Sequence, residues 1–76
     1  MEPLGAVDRI AQGRLIVALD GDEPPATGAP VVDSSLSPVG TVVDVIGPVD
    51  EPWALVVPDD GIHPPELLGA RLYIDD

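Results

Sequence analysis

The chain contains no cysteine, no phenylalanine and no lysine, and only one tryptophan and one tyrosine. Without cysteine there are no disulfides, no thiolate metal sites and no cysteine nucleophile. With two aromatic residues in all, a core has to be assembled from Val, Leu, Ile and Ala, which suits a small barrel or sandwich and leaves no buried polar atoms to satisfy. Without lysine, Arg9, Arg14 and Arg71 stand alone against 14 acidic residues, for a net charge of −11. That balance argues against direct phosphate binding, which requires clustered cations to displace counterions. Two further absences are an apolar run approaching the roughly 20 residues needed to cross a bilayer and a basic N-terminal segment followed by an apolar stretch. The expectation is a soluble, cytoplasmic protein with no membrane contact.

Seventy-six residues make one domain, residues 1–76, with a folded surface of roughly 4,400 Å² by size scaling. A surface this acidic repels itself, and repulsion that extends roughly 10 Å at about 0.1 M salt shrinks to roughly 3 Å at 1 M. The charge therefore points to a salt-rich cytoplasm.

Along the chain, Leu4 to Ile10 and the clearer RLIVAL of Arg14 to Leu19 flank a Gln12-Gly13 turn and read as a hairpin. DGDEPPAT, Asp20 to Thr27, is acidic and broken by consecutive prolines, hence a loop. Gly28 to Asp33 gives a short strand, and Ser34, Ser35 and Ser37 mark a turn before a long strand from Val39 to Ile46. After a strand over Trp53 to Val57, DDGIHPP is a second loop, Glu66 to Gly69 is one capped turn, and Arg71 to Ile74 closes the chain as a strand. Six short strands separated by Pro and Gly signals predict an all-β closed barrel, since closure removes the exposed edges of such short strands.

The most specific stretch is VGTVVDVIGPVDEPWALVV, Val39 to Val57. Two β-rich runs are joined by a loop that holds Pro48, Val49 and Pro52 beside Trp53. Prolines limit the entropy lost on docking, and a tryptophan offers the broad amphipathic surface that interfaces favour. Ile46, Gly47, Pro48, Val49, Pro52 and Trp53 are therefore the candidate partner-binding residues. A lone Trp in a small domain is also a common core element, and the adjoining proline loop favours the interface.

Candidate chemistry is sparse. Asp20, Asp22 and Glu23 lack the ligand register of a calcium loop, as do Asp59 and Asp60, so solvated acidic turns are the reading and no metal is expected. No Ser-His-Asp or Cys-His grouping can be assembled around His63 from sequence order, and its neighbours Pro64 and Pro65 mark a loop. Asp44 lies mid-strand among valines, where a buried carboxylate would accept hydrogen bonds from a neighbouring loop's amides. The three arginines fall on three strands, as pairing partners for acids rather than as a nucleic-acid footprint. No catalytic set and no cofactor is expected.

Taken in order, Leu4-Gly5, Gly13 before Leu15-Ile16-Val17, Pro30-Val31-Val32-Asp33, Val39-Gly40 with Val42, Asp44 to Val49, Pro52-Trp53, and Gly69 with Leu72-Tyr73-Ile74 resemble the GAR-type small β-barrel subunit of H/ACA ribonucleoproteins, which pseudouridylate RNA under guide-RNA direction. Nearly the whole chain takes part, and Gly-Pro-Val followed by Pro-Trp is the specific element. The resemblance implies a six-stranded closed barrel, similar to barrel domains of translation factors. It also implies docking on the catalytic domain of a pseudouridine synthase, where the barrel performs no chemistry, meets guide RNA and substrate rRNA only indirectly, and affects how a mobile synthase loop engages and releases substrate. The Gly-Arg-rich flanks and basic tail seen in members of that family are missing from this sequence. A PRC-barrel-type partner- or ligand-binding module, similar in the Val-Gly-x-Val-x-Asp pattern at Val39 to Asp44, is the alternative, and Gly47-Pro48-Val49 with Pro52-Trp53 discriminates against it.

Overall fold

In the computed structural model, which describes residues 2–20, 24–48 and 50–75, six strands close into a barrel. These are β1 (Glu2–Ala11), β2 (Arg14–Leu19), β3 (Pro30–Val32), β4 (Pro38–Ile46), β5 (Trp53–Pro58) and β6 (Arg71–Ile74). The order around the wall is β1-β2-β5-β4-β3-β6, and every neighbouring pair is antiparallel. The accessible surface of 4627 Å² is close to the size-scaled expectation.

The interior is aliphatic, as the composition demands. Leu4, Val7, Leu15, Val17, Val31, Val39, Val42, Ala54, Val56 and Leu72 form one buried cluster, and no polar or charged residue among the described residues is buried. Strand period sorts inside from outside: in β5, Ala54 and Val56 are fully buried while Trp53, Leu55 and Val57 are not.

Turn chemistry sets the registers. Ala11 pairs Arg14 across Gln12 and Gly13, whose φ of 53° and 76° are the left-handed values that a two-residue type I′ hairpin loop needs at both centres. Between β3 and β4 the Asp33 carboxylate accepts from Ser35 N at 2.8 Å and Ser37 N at 3.0 Å, an Asx-type brace. Tight packing between strands needs Gly5, where an added Cβ would sit 1.8 Å from Ala18 O in a backbone already at φ +149°.

Strand ends shift by one or two residues, with β1 running Glu2–Ala11 rather than Leu4 to Ile10, and three further details differ from the sequence reading. The third strand covers Pro30–Val32 rather than Gly28 to Asp33, because Gly28 N and Ala29 O turn aside to bond Val42. The single turn of helix is a 3-10 segment, η1, over Pro64–Leu67 rather than Glu66 to Gly69, and His63 at its N-cap makes no side-chain cap bond. Prolines at its first positions start the turn early, since they lack an N–H that would otherwise need a partner.

Asp44 is the third. It is exposed, not buried. The β4–β5 register slips between Val42 and Asp44, a bulge that leaves Val43 unpaired and turns two successive residues outward. Among the described residues the Asp44 carboxylate then accepts only from Val45 N, at 2.8 Å.

Candidate functional site

Trp53 opens β5 on the outer face, opposite Ile46 of β4 and Ala18 of β2. One row along, Leu55 lies opposite Ile16 of β2 and Asp44 of β4. Val43, Ile46 and Val57 are among the exposed large apolar side chains, at 38%, 40% and 36%. The outer surface of β2, β5 and β4 therefore carries a band of Ile16, Trp53, Leu55, Ile46, Val43 and Val57 that contributes nothing to the buried cluster. Two shallow grooves flank the indole. Ala18, Leu19, Asp50, Glu51, Pro52 and Trp53 line one of about 280 Å³, and Arg9, Ile16, Ile46 and Trp53 line one of about 190 Å³. Both lie at or below the roughly 300 Å³ at which pockets for drug-sized ligands begin.

The loop beside the indole is shaped to seat it. Gly47 has φ +95°, and a Cβ there would lie 2.7 Å from Trp53 Cδ1 and 3.1 Å from Glu51 O. Only glycine meets both demands. Glu51 N donates to Pro48 O at 3.1 Å, closing a turn, and Leu19 N donates to Pro52 O at 3.3 Å, tying the loop to β2. On the far side the guanidinium of Arg9 lies over the ring, with Cζ 5.5 Å from its centroid.

The structure thus gathers Ile46, Gly47, Pro48, Pro52 and Trp53 at one end of the β4–β5 hairpin. Val49 lies outside the described residues, as do Asp22 and Glu23 of the acidic loop. Asp20 is ion-paired with Arg71, and Arg9 with Asp8 at 2.9 Å, so these two arginines meet local acids. Among the described residues no group of His or carboxylate side chains is arranged to hold a metal ion, and His63 is exposed. Among the described residues no helix is long and apolar enough to cross a membrane. Sequence reasoning missed Ile16, Val43, Leu55 and Val57 as members of the band and Arg9 as a neighbour of the indole. Period-two alternation along β2 and β5 carries a signal for Ile16, Leu55 and Val57; the outward turn at Val43 depends on a bulge that it does not show.

Residues 1–76 match the Gar1/Naf1 RNA binding region family. The chain belongs to that family. Over 57 residues it is 32% identical to the H/ACA ribonucleoprotein complex subunit GAR1 of Encephalitozoon cuniculi, an alignment covering 75% of this chain and 31% of that protein. The chain thus spans about a third of that relative's length. Over 78 residues, 97% of this chain and 83% of the relative, it is 31% identical to an uncharacterized protein of Methanothermobacter thermautotrophicus. Membership of the Gar1/Naf1 family favours the first of the two resemblances drawn from the sequence over the PRC-barrel alternative.

Proposed function

We propose that this Gar1/Naf1-family barrel, one domain over residues 1–76, is a non-catalytic subunit of an archaeal H/ACA ribonucleoprotein in a salt-rich cytoplasm. In this reading it docks on the catalytic domain of the particle's pseudouridine synthase and promotes substrate placement and turnover in rRNA pseudouridylation, and so ribosome biogenesis. The observation that carries the proposal is the apolar band centred on Trp53. It lies outside a barrel whose buried cluster is built from other residues, so its burial is left for a partner. A non-catalytic role is in keeping with a surface whose described residues offer binding features and no assembled nucleophile, base and metal set.

The rim of the band suggests the partner's charge. Asp44, Asp50 and Glu51 border the apolar centre, so a docking surface with basic residues around an apolar hollow is complementary. RNA is then reached through the synthase. The chain carries three arginines and no lysine, two of those arginines are engaged with carboxylates, and phosphate binding depends on clustered cations. Regulation of turnover requires only that the barrel bind two synthase states unequally, and a few kcal/mol of difference suffices.

Affinity capture from its own cell extract at native salt tests the assignment. Recovery of a pseudouridine synthase is expected, and reconstituted particles lacking the barrel should show slower multiple-turnover pseudouridylation with guide-RNA binding little changed. Unaltered turnover without the barrel would remove the proposed role. The salt-rich setting is tested separately by melting in a KCl series with sucrose as a control for solvent exclusion: the melting temperature should climb towards molar KCl, and a flat response would discard that part.

A further inference from the structure

Arg9 is an unusual neighbour for the indole, because the two residues do not sit on adjacent strands. β2 lies between β1 and β5, and in register Arg9 stands opposite Ile16, which in turn stands opposite Leu55, one row away from Trp53. The guanidinium therefore crosses β2 diagonally to reach the ring. Two features make this reach feasible. The β1–β2 register slips between Val7 and Arg9, a bulge at Asp8 that re-aims the side chain after it, and Ala18, between Ala6 and Trp53 in the ladder, is too short to block the path. Asp8 then accepts from Arg9 Nε at 2.9 Å and orients the planar group.

The indole is consequently held from two directions, by the Arg9 cation over its face and by the Gly47 backbone against its Cδ1 edge. Holding a large anchor in one orientation before contact removes part of the ordering cost of association. We propose that Arg9 is a positioning residue for docking: oriented by Asp8, it pins Trp53 in the binding-competent orientation in the free protein. The inference rests on the reading of the Trp53 face as the docking surface.

The single Trp makes the test direct. In the free protein, Arg9→Met keeps the aliphatic stem and loses the cation; acrylamide quenching of Trp53 should rise about twofold and its fluorescence anisotropy should fall, with Arg9→Lys intermediate. The Arg9 side chain is 65% exposed, so neither variant threatens folding. Against the pseudouridine synthase at native salt, Arg9→Met should weaken binding about three- to fivefold, and in a Trp53→Ala background it should add no further loss. Unchanged Trp53 mobility in Arg9→Met overturns the proposal, whatever happens to affinity. Weakened binding that persists in the Trp53→Ala background also overturns it, by making Arg9 a direct partner contact. If Trp53→Ala alone binds the synthase like the wild type, the docking reading falls instead, while the quenching arm still judges whether Arg9 pins the ring.

Discussion

The wall made of β2, β5 and β4 and the wall made of β1, β6 and β3 share one interior and differ in their exteriors. Inside, both present aliphatic side chains with little or no exposure, Val17, Val56 and Val42 on one and Val7, Leu72 and Val31 on the other. Outside, the first wall bears the Trp53 band. The second carries Tyr73 and Arg71 on β6, and none of the exposed large apolar side chains falls on its three strands; Leu36 and Leu68, which are exposed, lie in loops. Pairing differs as well: β4 and β5 match six residue pairs, whereas β3 and β6 match two, Val31 with Ile74 and Val32 with Tyr73. The interior accounts for closure of the barrel on every side. Among the strands, exposed large apolar side chains lie only on the exterior of the better-paired wall.

The comparison breaks first at the interior. Leu72→Ala under the second wall should cost about 3 kcal/mol and Val56→Ala under the first about 2 kcal/mol, both seen as lower urea midpoints with unchanged m-values. For a domain of this size either loss is a large share of total stability. An outer-face change such as Leu55→Ala should cost less than about 1 kcal/mol. Equal costs for Val56 and Leu55 would mean that inside and outside are not distinguished as described.

The seam comes next. Amides of Val31, Val32 and Tyr73 should exchange by openings about 1–2 kcal/mol easier than that of Val56, since the β3–β6 ladder is so short. Uniform protection around the barrel would contradict the difference in pairing. As a control on the exteriors, Tyr73→Ala should change synthase affinity by less than about twofold, as expected for a residue outside the contact surface. The smallest effect concerns the Gln12-Gly13 turn: Gln12→Asn should raise stability by about 0.5 kcal/mol, because Asn tolerates the left-handed φ that Gln12 holds.

Much of the fold is legible in the order of residues. Gly13, Pro24-Pro25, Gly47-Pro48 and Pro58 punctuate the β-rich runs, so strand positions follow to within a few residues, and the absence of phenylalanine foretells the aliphatic core. What punctuation does not encode is which strand meets which. The β2–β5 and β3–β6 neighbours join runs far apart in sequence, and the bulges at Asp8 and Val43 depend on how sharply the wall must bend. That is why Asp44 reads as buried in a valine run yet is exposed, and why Arg9, a residue from the first strand, escapes notice beside Trp53. The end of the β4–β5 hairpin is legible for the opposite reason: Ile46, Gly47, Pro48, Pro52 and Trp53 are close in sequence and the turn Pro48 to Glu51 keeps them close in space. Leu36 shows the limit of turn chemistry, since nothing in its residue type announces a φ of 65°.

The central claim is that the Trp53 band is a docking surface rather than an outlying part of the core. Calorimetric titration of the proposed partner, a pseudouridine synthase, with wild type and Trp53→Ala, each checked by thermal melting at the same salt, decides between the two. Trp53→Ala should stay folded, lose less than about 1 kcal/mol of stability and weaken binding by about 2 kcal/mol, roughly thirtyfold. A folded variant that binds with wild-type affinity, or a variant that loses its fold, would contradict it.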